Sequence, residues 1–162
     1  MLREDFGEEI VPQGEKGLGY QAGDGVRCDW LLFRSLLESA RGSSDDEAVP
    51  VLDEALSLLR GVPFQGTEPG SYGWAGAVIA EIEVAVVAAT TRLATIHLER
   101  GEPDRARSAA TRGLVGVPYD LSLWAVMLEA SSRLGEAAYE NAHRDARLVL
   151  GEASRLLDVA PG

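Results

Sequence analysis

The side chains in this 162-residue chain that could do chemistry are two histidines, one cysteine and a scatter of carboxylates and serines. His97 and His143 fall in different helical hairpins, and neither has a cysteine or a second histidine at metal-ligand spacing. Their setting points to packing or surface placement. Cys28 would need a nearby histidine or lysine to make a reactive thiolate, and none is close in sequence, so it reads as a small apolar filler. Glu81 and Glu83 stand two apart on a helical stretch and point to different sides, so they cannot converge on one bond as acid and base. Gly17-Leu18-Gly19, followed by Gly23, is not a phosphate-binding G-x-G-x-x-G, because no strand precedes it and no helix follows at once. No serine sits in a G-x-S-x-G elbow. With no convergent set, the expectation is a protein that is not an enzyme and carries no cofactor and no metal.

Charge narrows the partners. A formal net charge of −11 and a pI near 4.6 oppose phosphate binding, so no direct nucleic acid binding by this chain is expected. A composition 46% hydrophobic and 25% charged is globular. A single cysteine forms no internal disulfide, which fits a reducing, cytoplasmic setting. Met1 to Phe6 is charged and lacks the apolar core of a secretory signal. The most apolar run, Trp74 to Ala89, is interrupted by Glu81 and Glu83, so it reads as a buried helix without membrane insertion.

The elements behind these residues are helical. Residues 1–28 are broken by glycines and Pro12; Tyr20 and Val26-Arg27-Cys28 suit short strands around a Gly23-Asp24-Gly25 turn. A first helix starts with Asp29 as N-cap and carries Trp30, Phe33, Leu37 and Ala40. A second follows the capping-box-like Ser44-Asp45-Asp46-Glu47, with Pro50 either in a late first turn or at a bend. Residues 61–73 form a loop holding Phe64 and Tyr72. A third helix over roughly 74–100 carries Val78, Ile82, Ala85, Ala89, Leu93 and Ile96, and its N-terminal half is apolar nearly all round, which predicts a central place in the core. A fourth runs from Pro103 to about Val115. A fifth, after Pro118-Tyr119-Asp120, turns Leu121, Trp124 and Leu128 inward. A sixth from near Glu136 carries Ala138, Ala142, Ala146 and Val149, and Gly151 interrupts it.

Two of these hairpins share a register. Gly101 and Gly135 lie 34 residues apart at equivalent turns. Ala48, Leu52 and Ala55 match Ala106, Ala110 and Gly113, and match Ala142, Ala146 and Val149, all at offsets of zero, four and seven. The pattern resembles tetratricopeptide units, whose small residues seat the second helix and which bury their apolar faces by stacking. The expected fold is all-α: a tetratricopeptide-like stack of antiparallel helical hairpins behind a short non-helical or β-hairpin N-terminal tail.

A more specific likeness lies in the order of motifs. Asp29-Trp30-x2-Phe33 opens the first helix, and Ala55-Leu56-x2-Leu59-x-Gly61-x-Pro63-Phe64 closes the second. Trp74 leads to Leu98-x2-Gly101 and Ala106, then Pro118-Tyr119-x4-Trp124. Over residues 29 to about 150 this resembles the bacterial transcriptional activator domain, the helical domain that follows a winged-helix DNA-binding domain in antibiotic-regulatory activators of actinobacteria. The resemblance implies two divisions: residues 1–28 as the remnant of an upstream wing or linker, in which Gly19-Tyr20 and Val26-Arg27-Cys28-Asp29 fit, and residues 29–160 as the helical domain. It implies a non-catalytic protein-interaction and regulatory role in transcription regulation. An alternative follows from Pro63-Phe64-x-Gly66 and Tyr72-x-Trp74-Ala75, which look more like a branch found with LysM and membrane segments; there the domain would be a ligand-sensing or scaffold module.

In such a stack the first helix of each pair lines the concave side. The expected groove residues are Thr91, Thr95 and Glu99 from the third helix, and Ser122, Glu129 and Arg133 from the fifth. Glu99 and Arg133 each stand two residues before a repeat glycine, so opposite charges would face each other across the groove. The expected occupant is a protein or peptide, another domain of the same protein included, with a homodimer as a further option.

Overall fold

The computed structural model describes residues 28–66 and 73–158. The strands expected before Cys28, and Tyr72, lie outside the described residues. Among the described residues there are six α-helices and no strand. They are α1 (Asp29–Ala40), α2 (Asp45–Ser57), α3 (Gly76–Glu99), α4 (Pro103–Gly116), α5 (Leu121–Leu134) and α6 (Glu136–Leu150). A short 3-10 turn, Gly73–Ala75, leads into α3, and another, Gly151–Leu157, follows α6. The chain divides into two compact units, Met1–Leu32 and Phe33–Gly162. Of the first, Cys28–Leu32 is described: the Leu32 N–H donates to the Cys28 carbonyl at 3.1 Å. The cap is therefore Cys28, one residue before the expected Asp29. Cys28 is also exposed, which corrects its reading as a packing filler.

The second unit is a run of hairpins, in which α2 packs on α3, α3 on α4, α4 on α5 and α5 on α6. Each contact is seated by small residues. Ala48, Leu52 and Ala55 on α2 are buried, as are Ala106, Ala110 and Gly113 on α4 and Ala142 and Ala146 on α6. Val149 departs from the pattern and is exposed, and Gly151, at φ 57°, turns the chain from α6 into the 3-10 segment two residues on. Gly113 shows why a small residue is required. A Cβ on it would meet Thr90 Cγ2 at 2.7 Å and Thr90 Cβ at 2.9 Å, closer than packed carbons approach.

The turn between α3 and α4 is set by backbone geometry. Gly101 takes φ 71°, a left-handed conformation that glycine adopts without a Cβ penalty. The Glu102 N–H then donates to the His97 carbonyl at 2.8 Å and the Gly101 N–H to that of Leu98 at 3.1 Å. This pair of bonds is the Schellman closure of a helix end. At α2 the expected capping box forms: the Glu47 carboxylate accepts from the Ser44 N–H at 3.1 Å and from its hydroxyl at 2.8 Å. Pro50 sits inside α2, past its first turn, so the late start does not occur. It is exposed, where the ring meets solvent and one helix bond is lost.

The core lies elsewhere along α3 than its composition suggests. Burial begins at Val86 and continues through Ala89, Thr90, Leu93, Ala94, Ile96, His97 and Leu98. The N-terminal half is not central: Val84 is 71% exposed, and Val78, Ile82 and Ala85 are only half-buried. The cause is length. With 14 residues, α4 spans about 21 Å, against about 36 Å for the 24 residues of α3. Turning back at Gly101, α4 ends at Gly116 beside Val86, and covers nothing beyond it.

Candidate functional site

The α5 helix has two faces that differ in chemistry. At 100° per residue, Ser122, Glu129 and Arg133 share one side, and Trp124, Met127 and Ser131 share the opposite side. The second side is buried. Trp124 is 6% exposed, its indole N–H donates to the Pro118 carbonyl at 2.9 Å, and it shares a buried cluster with Ala142 and Ala146. Leu128 is buried with it, and Leu121 only half-buried.

The first side is open. Ser122, Glu129 and Arg133 are exposed, as are Thr95 and Glu99 on α3; Thr91 is half-buried. Helices α3 and α5 pack side by side, so these residues come from neighbouring elements. The charges are arranged differently from the two opposed walls expected. Arg133 donates through Nη2 to Glu129 Oε1 at 2.8 Å within its own helix, and through Nη1 to the Leu98 carbonyl at 2.9 Å. It therefore closes the C-terminal end of α3, where helix carbonyls lack partners and carry partial negative charge. Among the described residues Glu99 has no ion-pair partner.

Arg133 belongs to a set that the sequence did not single out. Arg92 donates to the Ala40 carbonyl at 2.6 Å and to that of Ser43 at 3.1 Å, tying the α1–α2 turn to α3. Arg112 donates to the Asp53 carbonyl at 3.3 Å and also bonds its carboxylate, tying α4 to α2. Each of these three arginines reaches a backbone carbonyl of another helix or turn, and the planar guanidinium suits that task. Their signal in the sequence is faint, since an arginine on a helix face is ordinarily a solvated one.

The remaining chemical candidates pair off locally. His97 is 2% exposed, and its Nδ1 lies 2.7 Å from Glu102 Oε2. That hydrogen bond holds the Glu102 carboxyl below its ordinary value, and the charge of Arg105 adds to the effect. Hydrogen bonds from the Ser44 hydroxyl and N–H do the same for Glu47. His143 Nε2 lies 2.7 Å from Asp158 Oδ1, and its ring stacks on Tyr139 at a centroid distance of 5.9 Å. Among the described residues no group of three or more His, Cys, Asp or Glu could hold a metal ion, and no helix is long and apolar enough to cross a membrane.

The family model of the bacterial transcriptional activator domain matches residues 28–162. No curated protein and no solved structure matches the chain. That family is a regulatory, non-enzymatic one found in transcriptional-activator-type proteins. With the family model matching residues 28–162, most of its length, this tetratricopeptide-like chain belongs to the bacterial transcriptional activator domain family.

Proposed function

We propose that the domain works by protein interaction, and that the open side of α3 and α5 is the surface it uses. The observation that supports this is the pairing of Thr95 and Glu99 with Ser122 and Glu129: exposed polar side chains on two adjacent helices, backed by a buried face that holds them in place. Thr91 and Arg133 border the same surface, Arg133 with a structural duty toward Leu98 as well. With Arg133 and Glu129 neutralising one another, Glu99 carries the unbalanced charge. The surface thus suits a peptide or helix with a basic residue, since charge complementarity governs register and on-rate. The partner is a protein or peptide, either another domain of the same protein or a second copy of the chain, acting in the cytoplasm. Residues 1–28 are assigned in this proposal to an upstream wing or linker.

The experiment identifies the partner by pull-down with the full-length protein, then measures its affinity for Glu99→Lys and Glu129→Lys variants. Weakened binding with an unchanged unfolding midpoint is the expected result. Unchanged affinity in both variants would show that this side of the stack is not the binding surface.

A further inference from the structure

The last hairpin of the stack carries a segment on its outer end. Helix α5 packs on both helices of the hairpin before it, α3 and α4. The 3-10 segment Gly151–Leu157 packs in the same way on α5 and α6. It therefore stands where the first helix of a further hairpin would stand. Among the described residues it does not pack against α3, which carries Thr95 and Glu99 of the partner surface proposed above.

The segment fills that place less well than a helix. A 3-10 run longer than three or four residues is uncommon, because its hydrogen bonds are poorly aligned. At about 2.0 Å per residue its seven residues span about 14 Å, against about 21 Å for the 14 residues of α5. Leu156 is 63% exposed, and the buried Ser154 hydroxyl donates to the Gly151 carbonyl within the segment itself. Leu157 packs against the buried cluster of Trp124, Leu128 and Ala146. Asp158, just past the segment, places Oδ1 2.7 Å from His143 Nε2 on α6. Gly151, at φ 57°, joins the segment to α6 through a backbone conformation that glycine favours. A segment with so few ties belongs to the low-stability end of a fold.

Those ties define the chemistry of a replacement. An aliphatic side chain meets the buried cluster, and a carboxylate meets His143. Arg147 lines the same small cavity as Asp158, and among the described residues no carboxylate pairs with it. An incoming carboxylate thus finds a free cation beside the imidazole. Asp158 meets His143 about two turns before the end of α6, so the segment runs back along α6 and stops there. Tyr139, one turn further, stacks on His143 and is left 37% exposed. A helix as long as α5 would continue over that ring.

We propose that the end of the stack formed by α5 and α6 is a docking surface for an amphipathic helix of a partner protein, and that Gly151–Leu157 is the lid which this helix displaces. The partner sets an aliphatic side chain where Leu157 lies and a carboxylate beside His143 and Arg147, and it extends over Tyr139. The lid makes binding conditional, because apparent affinity falls with the fraction of chains in which the surface is uncovered.

The test uses the whole chain and two synthetic amphipathic peptides as long as α5. Both are built on an alanine- and glutamine-rich helix with leucines along one face, and they differ only in a Glu or a Gln beside the last leucine. Amide shifts and hydrogen exchange are followed during titration. The expected result is saturable binding of the Glu peptide, with shifts in α5 and α6 and loss of protection at residues 151–158. The Gln peptide should bind about tenfold more weakly, the increment of a charge-assisted hydrogen bond. Leu157→Ser loosens the lid and should tighten binding of both peptides about tenfold with an unchanged helical signal. His143→Ala should abolish the preference for Glu over Gln. Asp158→Asn should act in the direction of Leu157→Ser, more weakly. The proposal is overturned if neither peptide binds, if binding leaves residues 151–158 protected, or if Leu157→Ser and Asp158→Asn bind as the parent does. Dimerisation of Leu157→Ser without peptide binding would overturn it too, and would give the surface to a second copy of the chain.

Discussion

Gly113 on α4 lies against Thr90 on α3 with no space for a methyl group between them. Thr90 is itself fully buried, and among the described residues its hydroxyl has no partner. The pair marks the closest approach recorded for any described glycine, and it sits where α4 crosses the buried half of α3. Packing at this point is set by steric fit, since no hydrogen bond joins the two residues.

Gly113→Ala is therefore expected to destabilise the domain, although alanine favours a helix by about 1 kcal/mol over glycine. Overpacking costs about 1–3 kcal/mol and outweighs it. Thr90→Ala in the same chain should recover part of the loss, because it removes Oγ1 and Cγ2 but leaves the Thr90 Cβ, which the new methyl meets at 2.9 Å. Urea unfolding of the two single variants and the double variant measures this coupling. A neutral or stabilising Gly113→Ala would mean that α3 and α4 stand further apart.

Trp124→Ala should cost ~3–5 kcal/mol, as for other large truncations in a packed core. The ring is buried against α6, and its N–H bond to Pro118 also fixes the turn before α5. A loss below about 1 kcal/mol would contradict its burial.

The tie between Arg112 and Asp53 should be measurable but modest. Side-chain exposures of 33% and 42% leave the pair partly screened by water. Arg112→Met is expected to lower stability by about 1 kcal/mol, and a cycle with Asp53→Asn should show coupling of about 0.5 kcal/mol. The coupling should shrink in 1 M salt, where the Debye length falls to about 3 Å. Coupling indistinguishable from zero at low salt would leave the junction of α2 and α4 to apolar packing alone.

The acid limb of stability should reflect Glu47 and Glu102. Both carboxyls are held below their ordinary value, Glu47 by its bonds to Ser44 and Glu102 by its hydrogen bond to His97. A carboxyl with a lowered folded pKa stabilises the fold above its unfolded value. That contribution is lost as pH falls from about 4.5 through the folded pKa. The midpoint of Glu102→Gln should therefore trail the parent at pH 6 and approach it on acidification below about pH 4. A constant gap between the two curves would show that Glu102 acts by packing.

Duplex DNA should not bind this chain at physiological salt. A net charge of −11 repels phosphate. The arginines that anchor the stack, Arg92, Arg112 and Arg133, are occupied by backbone carbonyls. A salt-sensitive mobility shift at micromolar protein would contradict this.

What the sequence determined by itself was local and periodic. The Ser44–Glu47 box, the Gly101 turn and the zero-four-seven spacing of small residues depend on neighbours within a few positions, so residue types alone specify them. The family was legible for the same reason, through an ordered set of such motifs. Tertiary structure decided which apolar residues are covered. The first half of α3 reads as core but stays largely open because α4 is too short to reach it, and Val149 reads as a buried repeat position but is exposed. It also decided the partners of the long side chains. Arg133 and Glu129 read as opposing walls, yet they form a pair on one helix, with Arg133 closing α3. A long flexible cation can reach several acceptors, and only the packing of helices distant in sequence selects the carbonyl it meets.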